Sequence, residues 1–246
     1  MDRRIGRALA VLFILLAHSQ VEAACIEAGQ LNHASVSIMR YFDEAEHDAK
    51  PGVIGIRGTG SFLSPTTLVT VEHVASAMKL STQDWKPIEI VDGDGRQMIG
   101  ARIQRLAGTH AEKLAVIELQ SALSSAGTVA IRTVPLMPEE EVVTLAYPGG
   151  RPLFVSGKFK QYGDEGRLAG TALLEMYEGD NRLVIDHGAS GAPVVDCEGR
   201  IAAVVSNVFT RSFVFGSHEI RIPTAWGMPN VVSVPIKALT ELSQAQ

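Results

Sequence analysis

From residue 52 onward, the chain is a succession of short apolar runs separated by turns rich in glycine, proline and serine. A hairpin is visible in this pattern: Pro87–Val91 and Met98–Leu106 flank the turn Asp92-Gly93-Asp94-Gly95. Many short strands at this spacing predict an all-β sandwich or barrel. The 246 residues suffice for one large domain or two small ones, and pairs of β-barrels commonly reach this size.

Two motifs more than a hundred residues apart suggest shared chemistry. Thr70-Val71-Glu72-His73-Val74 ends one apolar run, and Gly188-Ala189-Ser190-Gly191 precedes another. A serine in a tight turn can act as a nucleophile when a histidine takes its proton. Taken singly, Ser190 could belong to an ordinary turn and His73 could be a surface or core histidine. Together they predict a nucleophile at Ser190 and a general base at His73.

These motifs, with Gly58-Thr59-Gly60-Ser61-Phe62-Leu63-Ser64-Pro65 upstream, resemble the trypsin-like (chymotrypsin-fold) serine peptidases, especially the bacterial HtrA branch. The resemblance covers about residues 34 to 240, and those peptidases place histidine, acid and serine in this order. It implies an all-β fold of two six-stranded antiparallel β-barrels with a C-terminal helix. It also implies an endopeptidase that acts on protein or peptide substrates through an acyl-enzyme on Ser190, without metal or cofactor.

The same resemblance divides the chain into domains. The peptidase domain is expected at residues 51–242, after an N-terminal segment at residues 24–50. Within it, the first barrel is expected at about 51–120 and the second at about 139–234. The stretch at about 121–138, rich in serine, alanine and proline, is expected to link the two barrels.

Residues 1–23 have the layout of a secretory signal peptide. Arg3 and Arg4 make the start positive, Ala8–Ala17 is apolar, and Ala23 is a small residue at the cleavage point. The apolar run is short for a membrane span. We therefore expect a secreted or periplasmic protein with no stable membrane insertion after the signal is removed.

Cys25 and Cys197 are the two cysteines of the chain. In an exported protein they suggest a disulfide bond, and two unpaired thiols are the alternative. Because Cys25 lies next to the cleavage point, a lipoprotein is a second possibility. Soluble export is favoured, since Glu22 stands where lipoprotein processing prefers a leucine-like residue.

The resemblance also assigns an oxyanion hole and a substrate pocket. The backbone N–H groups of Gly188 and Ser190 would stabilise the charge that develops on the substrate carbonyl oxygen. The pocket would be lined by Val184 and Asp186 on one side and by Ser206-Asn207-Val208 on the other. Val184 near the pocket base disfavours arginine or lysine substrates and favours a small or apolar residue. For Asp186, a role in turn structure is the alternative.

The acid of the expected triad departs from the family pattern. An aspartate normally stands directly before an apolar run such as Leu114–Ile117, and here that position holds Lys113. Glu112 is one residue early and would face the wrong way on a regular strand, unless a bulge re-aims it. Glu112 is the candidate acid. The alternatives are a slow Ser-His dyad, or a pseudoprotease that binds peptides or partner proteins.

Other function classes fit less well. A net charge of -5 without basic runs disfavours a nucleic-acid partner. The histidines, among them His33 and His47, lack zinc-ligand spacing, and His-Glu-x-x-His does not occur. An esterase could use His218, but it needs glycine at Ala192 and a strand-turn-helix around the serine. The sequence leaves the oligomeric state open.

Overall fold

The computed structural model describes residues 25–108, 113–182, 185–209, 211–215 and 218–241. Three sequence-based predictions lie outside these residues: the signal peptide at residues 1–23, the acid Glu112 and the pocket residue Val184.

The first barrel is a closed sheet of six antiparallel strands in the order β1-β2-β3-β6-β5-β4. Its interior is apolar, with Ile38, Phe62, Leu68, Ile88 and Ile117 fully buried. Burial of such side chains is the main stabilising contribution to a barrel of this kind. The strands are β1 (Ser35–Tyr41), β2 (Gly55–Ser64), β3 (Thr67–Val71), β4 (Lys86–Asp92), β5 (Gly95–Ala107) and β6 (Leu114–Leu119).

Strand β1 corrects the expected boundary of this barrel. The N-terminal segment was expected to run to residue 50, yet β1 pairs with both β2 and β4 and closes the sheet. Six of its seven residues are buried, including Ser35, Ser37 and Arg40. The strand therefore has polar residues on buried faces, and this hides the alternation by which strands are recognised.

The second barrel closes six antiparallel strands in the order β10-β11-β14-β9-β8-β7. The predicted pair of six-stranded antiparallel barrels is thus confirmed. Between β11 and β14, β12 and β13 form a separate two-stranded sheet. The strands are β7 (Glu141–Ala146), β8 (Leu153–Tyr162), β9 (Ala172–Tyr177), β10 (Pro193–Asp196), β11 (Ile201–Val208), β12 (Arg211–Phe215), β13 (His218–Ile222) and β14 (Val231–Pro235).

The helices are short and lie between strands or at the ends of the chain. The C-terminal helix begins at Ala238, three residues after Pro235, which is the last residue of β14. None of the helices in the described part of the chain is long and apolar enough to cross a bilayer. The helices are α1 (Ala28–Leu31), α2 (Glu44–Ala49), α3 (Glu72–Ala77) and α4 (Ala238–Glu241), with 3-10 turns at Pro148–Gly150 and Gly166–Leu168.

Covalent and polar contacts join the two barrels. Cys25 and Cys197 form a disulfide bond that spans 172 residues and ties the N-terminal segment to the turn after β10. Of the two alternatives for the cysteines, the structure has the paired one. At the start of β1, the Ser35 hydroxyl donates to Leu145 O at 2.5 Å, and the Tyr147 hydroxyl donates to Ser35 O at 3.0 Å.

Candidate active site

His73 lies where β3 gives way to α3. Val71 pairs with Leu114 at the end of β3, and the next N–H group, that of Glu72, donates to Lys113 O at 2.8 Å. Because α3 starts directly after this pair, His73 falls in its first turn and is exposed to solvent. The main chain at Lys113 therefore runs beside the first turn of α3.

The turn that carries Ser190 requires glycine on both sides. Gly188 has a φ of +99° and Gly191 a φ of +95°, values that side-chain-bearing residues rarely adopt. A Cβ on Gly188 would lie 2.7 Å from Tyr147 O, and one on Gly191 would collide with Thr59 O. The Gly-x-Ser-Gly pattern is thus dictated by backbone conformation and by the close approach of neighbouring strands.

The peptide group between His187 and Gly188 is fixed through its carbonyl. His187 O accepts a hydrogen bond of 3.1 Å from the N–H of Gly149, in the 3-10 turn after β7. In a trans peptide the C=O and N–H point in opposite directions. The N–H of Gly188 therefore points away from that 3-10 turn.

The peptide group between Ala189 and Ser190 is held in the same manner. Ala189 O accepts from the N–H of Ala192 at 3.0 Å, so the N–H of Ser190 points away from that bond. Within the described residues, neither the Gly188 N–H nor the Ser190 N–H donates to another group of the protein. Two donors of the same turn are thus left for a ligand oxygen.

Thr59 of the first barrel clamps this turn. Its hydroxyl donates to Gly188 O at 2.7 Å, and its N–H donates to Ser190 O at 2.8 Å. The hydroxyl also accepts from Tyr147 N–H at 3.1 Å, and Thr70 Oγ1 donates to Thr59 O at 2.8 Å. The serine turn belongs to the second barrel, but part of its conformation is imposed by the first.

Gly58 marks the point where α3 and the serine turn meet. It is buried, and a Cβ added there would lie 2.5 Å from Val74 Cγ1 and 3.3 Å from Ser190 O. Val74 directly follows His73 in α3. The structure therefore brings the segments of both predicted catalytic residues to one place between the barrels.

Strand β11 carries the predicted pocket residues Ser206, Asn207 and Val208 and passes beside Ser190. The Ser190 hydroxyl donates to Ser206 O at 3.0 Å. Asn207 is exposed and Val208 is half-buried, and the Val208 N–H donates to Asn207 Oδ1 at 2.8 Å. This end of β11 therefore lies beside the candidate nucleophile.

Asp186 has a structural role in the turn. Its Oδ1 accepts from the N–H of His187 at 2.7 Å, and its carbonyl accepts from the N–H of Ala189 at 2.9 Å. The turn alternative considered for Asp186 thus has direct support, whereas its proposed partner in the pocket, Val184, lies outside the described residues.

Tyr147 connects the site to the interior between the barrels. Burial raises the pKa of Tyr147 to about 12, and the negative charge of Asp92 adds to the effect. The phenol is therefore neutral at physiological pH and donates a hydrogen bond to Ser35 O. The main-chain carbonyl of Tyr147 lies beside Gly188.

Two alternatives can be compared with this geometry. An esterase with its nucleophile at Ser190 needs a helix after the serine, but Pro193–Asp196 form strand β10. Among the described residues, Cys25, Glu141 and Cys197 are the cluster whose side chains could approach a metal ion. Both sulfur atoms are in the disulfide, so neither offers the thiolate that binds metals.

Sequence reasoning placed Ser190 and His73 in the site but missed the residues that hold the turn. Thr59 was part of the quoted Gly58–Pro65 motif, although no role was assigned to it. Gly149 belongs to a Pro-Gly-Gly turn, and consecutive glycines signal an unusual backbone. That signal predicts a turn, but not its hydrogen bond to His187.

The sequence of this chain matches a protein-family model, and its fold matches solved structures. A family model described as "Trypsin-like peptidase domain" matches residues 58–204. No curated protein sequence matches. Among solved structures, the active form of the Rv3671c protease from M. tuberculosis is similar, with 15% sequence identity and a TM-score of 0.57, covering 87% of this chain and 80% of that chain. Its inactive form is also 15% identical, with a TM-score of 0.55 and coverage of 88% and 90%. At this identity, the structural likeness shows the fold alone.

Proposed function

Because this chain belongs to the trypsin-like peptidase family, we propose that it is an exported serine endopeptidase that cleaves peptide bonds through an acyl-enzyme on Ser190. One observation carries the proposal. The Ser190 turn holds two backbone N–H groups without protein partners among the described residues, and it meets the helix of His73 at Gly58.

In this mechanism the Ser190 Oγ attacks the substrate carbonyl carbon while His73 takes the hydroxyl proton. The hydrogen bond from the Ser190 hydroxyl to Ser206 O is given up as the proton passes to the histidine. His73 then protonates the leaving amine, and water hydrolyses the acyl-enzyme by the same proton transfers in reverse order.

The N–H groups of Gly188 and Ser190 are proposed to stabilise the negative oxygen of the tetrahedral intermediate. Both peptide groups are already oriented by bonds to their carbonyl oxygens, so little reorganisation is needed during the reaction. Removing one such donor in a serine peptidase lowers kcat by about 10² to 10³.

Glu112 is proposed as the acid that orients His73. The support comes from its neighbour Lys113, whose carbonyl is bonded to Glu72 N–H beside the first turn of α3. Glu112 directly precedes Lys113 in the chain, so it is attached to a residue whose main chain contacts the start of α3. Loss of the acid in such a triad lowers turnover by about 10⁴.

Substrate is proposed to bind as an extended strand along β11. Among the described residues, β10 pairs with β11 only as far as Val204, whereas Asn207 and Val208 pair with β14 alone and leave the other edge of β11 open beyond Ser206. A peptide can add to such an edge through main-chain hydrogen bonds. We propose that Val184 and Asp186 line the opposite wall and favour a small or apolar residue before the cleaved bond.

We infer a secreted or periplasmic location from the signal peptide predicted at residues 1–23. The Cys25–Cys197 disulfide supports this location, since disulfides persist in oxidising compartments. The substrate is a protein or peptide, as for other members of the family.

An inactive peptide-binding relative is the second candidate, and Lys113 favours it. A lysine cannot accept the histidine N–H, and it stands in the usual position of the aspartate. The open edge of β11 would still bind extended peptides without cleaving them.

The test is covalent labelling of the purified mature protein with a fluorophosphonate probe. We expect the wild type to be labelled, Ser190→Ala to be unlabelled and Glu112→Gln to react much more slowly. Ser156→Ala is the matched control, because Ser156 is an exposed serine on β8. Absence of labelling in the folded wild type would exclude the peptidase and leave the peptide-binding protein.

A further inference from the structure

We propose that Arg57 of the first barrel is a positioning residue that sets the oxyanion hole from across the interface between the barrels. This inference rests on the proposed peptidase function. It assigns to Arg57 the orientation of the Gly188 N–H, through the 3-10 turn Pro148–Gly150.

Arg57 reaches from β2 to the 3-10 turn. Its Nη1 donates to Gly149 O at 2.7 Å, and its Nη2 donates to Met39 Sδ at 3.0 Å. A Cβ added to Gly150, whose φ is +81°, would collide with the guanidinium group. The Arg57 guanidinium therefore occupies the space that a side chain at position 150 would fill.

Gly149 connects Arg57 to the turn that carries Ser190. Its carbonyl accepts from Arg57, and its N–H donates to His187 O at 3.1 Å. Two hydrogen bonds in series thus connect the guanidinium with the peptide group between His187 and Gly188. The N–H of that same peptide group is the proposed oxyanion donor.

The other bonds of the turn act on different peptide groups. Thr59 donates to the carbonyls of Gly188 and Ser190. These carbonyls belong to the peptide groups 188–189 and 190–191. The Asp186 carboxylate holds the N–H of His187, in the preceding peptide group. Within the described residues, the bond from Gly149 is therefore the one that restrains the donor peptide, and Arg57 is the side chain that anchors Gly149.

The expected consequence of losing Arg57 is a lower kcat with an unchanged KM. The donor peptide would sample orientations that no longer point its N–H at the developing oxyanion. Substrate binding along β11 would be unaffected. Because complete loss of a donor costs about 10² to 10³ in kcat, we expect a partial loss of about tenfold for loosening one.

The experiment compares Arg57→Met, Arg57→Lys and wild type, with Arg102→Met as the matched control. Arg102 pairs with Glu118 and stacks over Trp85, on the first barrel and outside the site. The readouts are kcat and KM for a fluorogenic peptide, and the affinities for a peptide aldehyde and the corresponding alcohol. Ser190 Oγ adds to the carbonyl carbon of the aldehyde while its proton passes to His73, which places an oxyanion in the hole, whereas the alcohol forms no adduct.

We expect Arg57→Met to lower kcat and aldehyde affinity about tenfold, with KM and alcohol affinity unchanged. Arg57→Lys should restore part of the loss, and Arg102→Met should behave as wild type. Gly150→Ala is a second variant, since it displaces the guanidinium without removing it, and it should reproduce the loss. If the wild type cleaves the peptide and folded Arg57→Met or folded Gly150→Ala has the same kcat, this inference is overturned. If the fluorophosphonate probe does not label the wild type, the proposed function is overturned instead.

Discussion

Asp196 shows how one residue joins the linker to the second barrel. Its Oδ2 accepts from Arg132 Nη1 at 3.0 Å and from Arg200 Nε at 2.7 Å, and its Oδ1 accepts from the N–H groups of Glu198 and Arg200. Burial acts to raise the pKa of Asp196, but the bonds from Arg200 and Arg132 outweigh it and hold the pKa below its ordinary value of 3.8. The charged form is therefore the stable one in the fold.

This shift predicts part of the acid sensitivity. A carboxyl with a lowered pKa stabilises the fold above its ordinary pKa, and the contribution is lost as the pH falls below about 4 toward the folded value. We expect Asp196→Asn to lose about 3 kcal/mol at pH 7, because it breaks a buried ion pair. Between pH 7 and pH 3 the variant should lose less stability than the wild type does.

Urea unfolding at both pH values checks this, with Glu198→Gln as the control. Glu198 pairs with Arg200 at the surface and should contribute little. An equal loss of stability between pH 7 and pH 3 in wild type and Asp196→Asn would contradict the assignment.

At this scale the sequence could indicate the proposed catalytic residues but not the residues that hold them in position. Ser190 and His73 stand in local motifs, and the glycines around Ser190 follow from the turn they must form. Thr59 and Arg57 act on residues 129 and 92 positions away in the chain. Such contacts depend on how the barrels meet, which no local pattern encodes.

At the scale of elements, β1 and β11 show why some strands are recognised and others are not. β11 begins as a continuous run of buried residues, Ile201–Ser206, most of them apolar, and such a run between turns is readily recognised as a strand. In β1, Ser35 and Arg40 are buried because distant groups satisfy them: Leu145 O accepts from Ser35, and Glu46 accepts from Arg40 at 2.9 Å. Without those partners in view, the segment reads as a polar loop.

The open edge of β11 leads to a prediction about substrate binding. The Val208 N–H donates to the side chain of Asn207, so a substrate carbonyl that pairs with this edge takes the place of that side chain as the acceptor. We expect Val208→Pro to raise KM for peptides about tenfold, since one main-chain donor is lost. Labelling by a small fluorophosphonate, which makes no strand contact, should be unchanged.

Steady-state kinetics on a fluorogenic peptide measures this effect. Val208→Ala is the matched control because it keeps the N–H and shortens only the side chain. A KM for Val208→Pro equal to that of Val208→Ala would show that substrate does not pair with this edge.

For the whole molecule, the site depends on two barrels whose association the sequence alone leaves undetermined. The spacing of short apolar runs predicts a β-sandwich or barrel, and the family resemblance predicts two barrels. The strand order and the clamp by Thr59 result from packing between residues far apart in the chain. Any bond that holds the barrels together therefore also supports the geometry around Ser190.

The disulfide between Cys25 and Cys197 is such a bond, and its removal tests its contribution. Closing a loop of 172 residues restricts the unfolded chain, and the chain-entropy estimate for this length is about 5 kcal/mol. We expect the Cys25→Ser/Cys197→Ser double variant to lose stability of about this size in urea unfolding at pH 7. Wild type treated with a reductant should fall to the same value, which separates loss of the bond from effects of the substitutions. If the variant and the reduced wild type unfold at the urea concentration of the oxidised protein, the disulfide adds nothing, and the non-covalent contacts at Ser35, Thr59 and Tyr147 must hold the barrels together unaided.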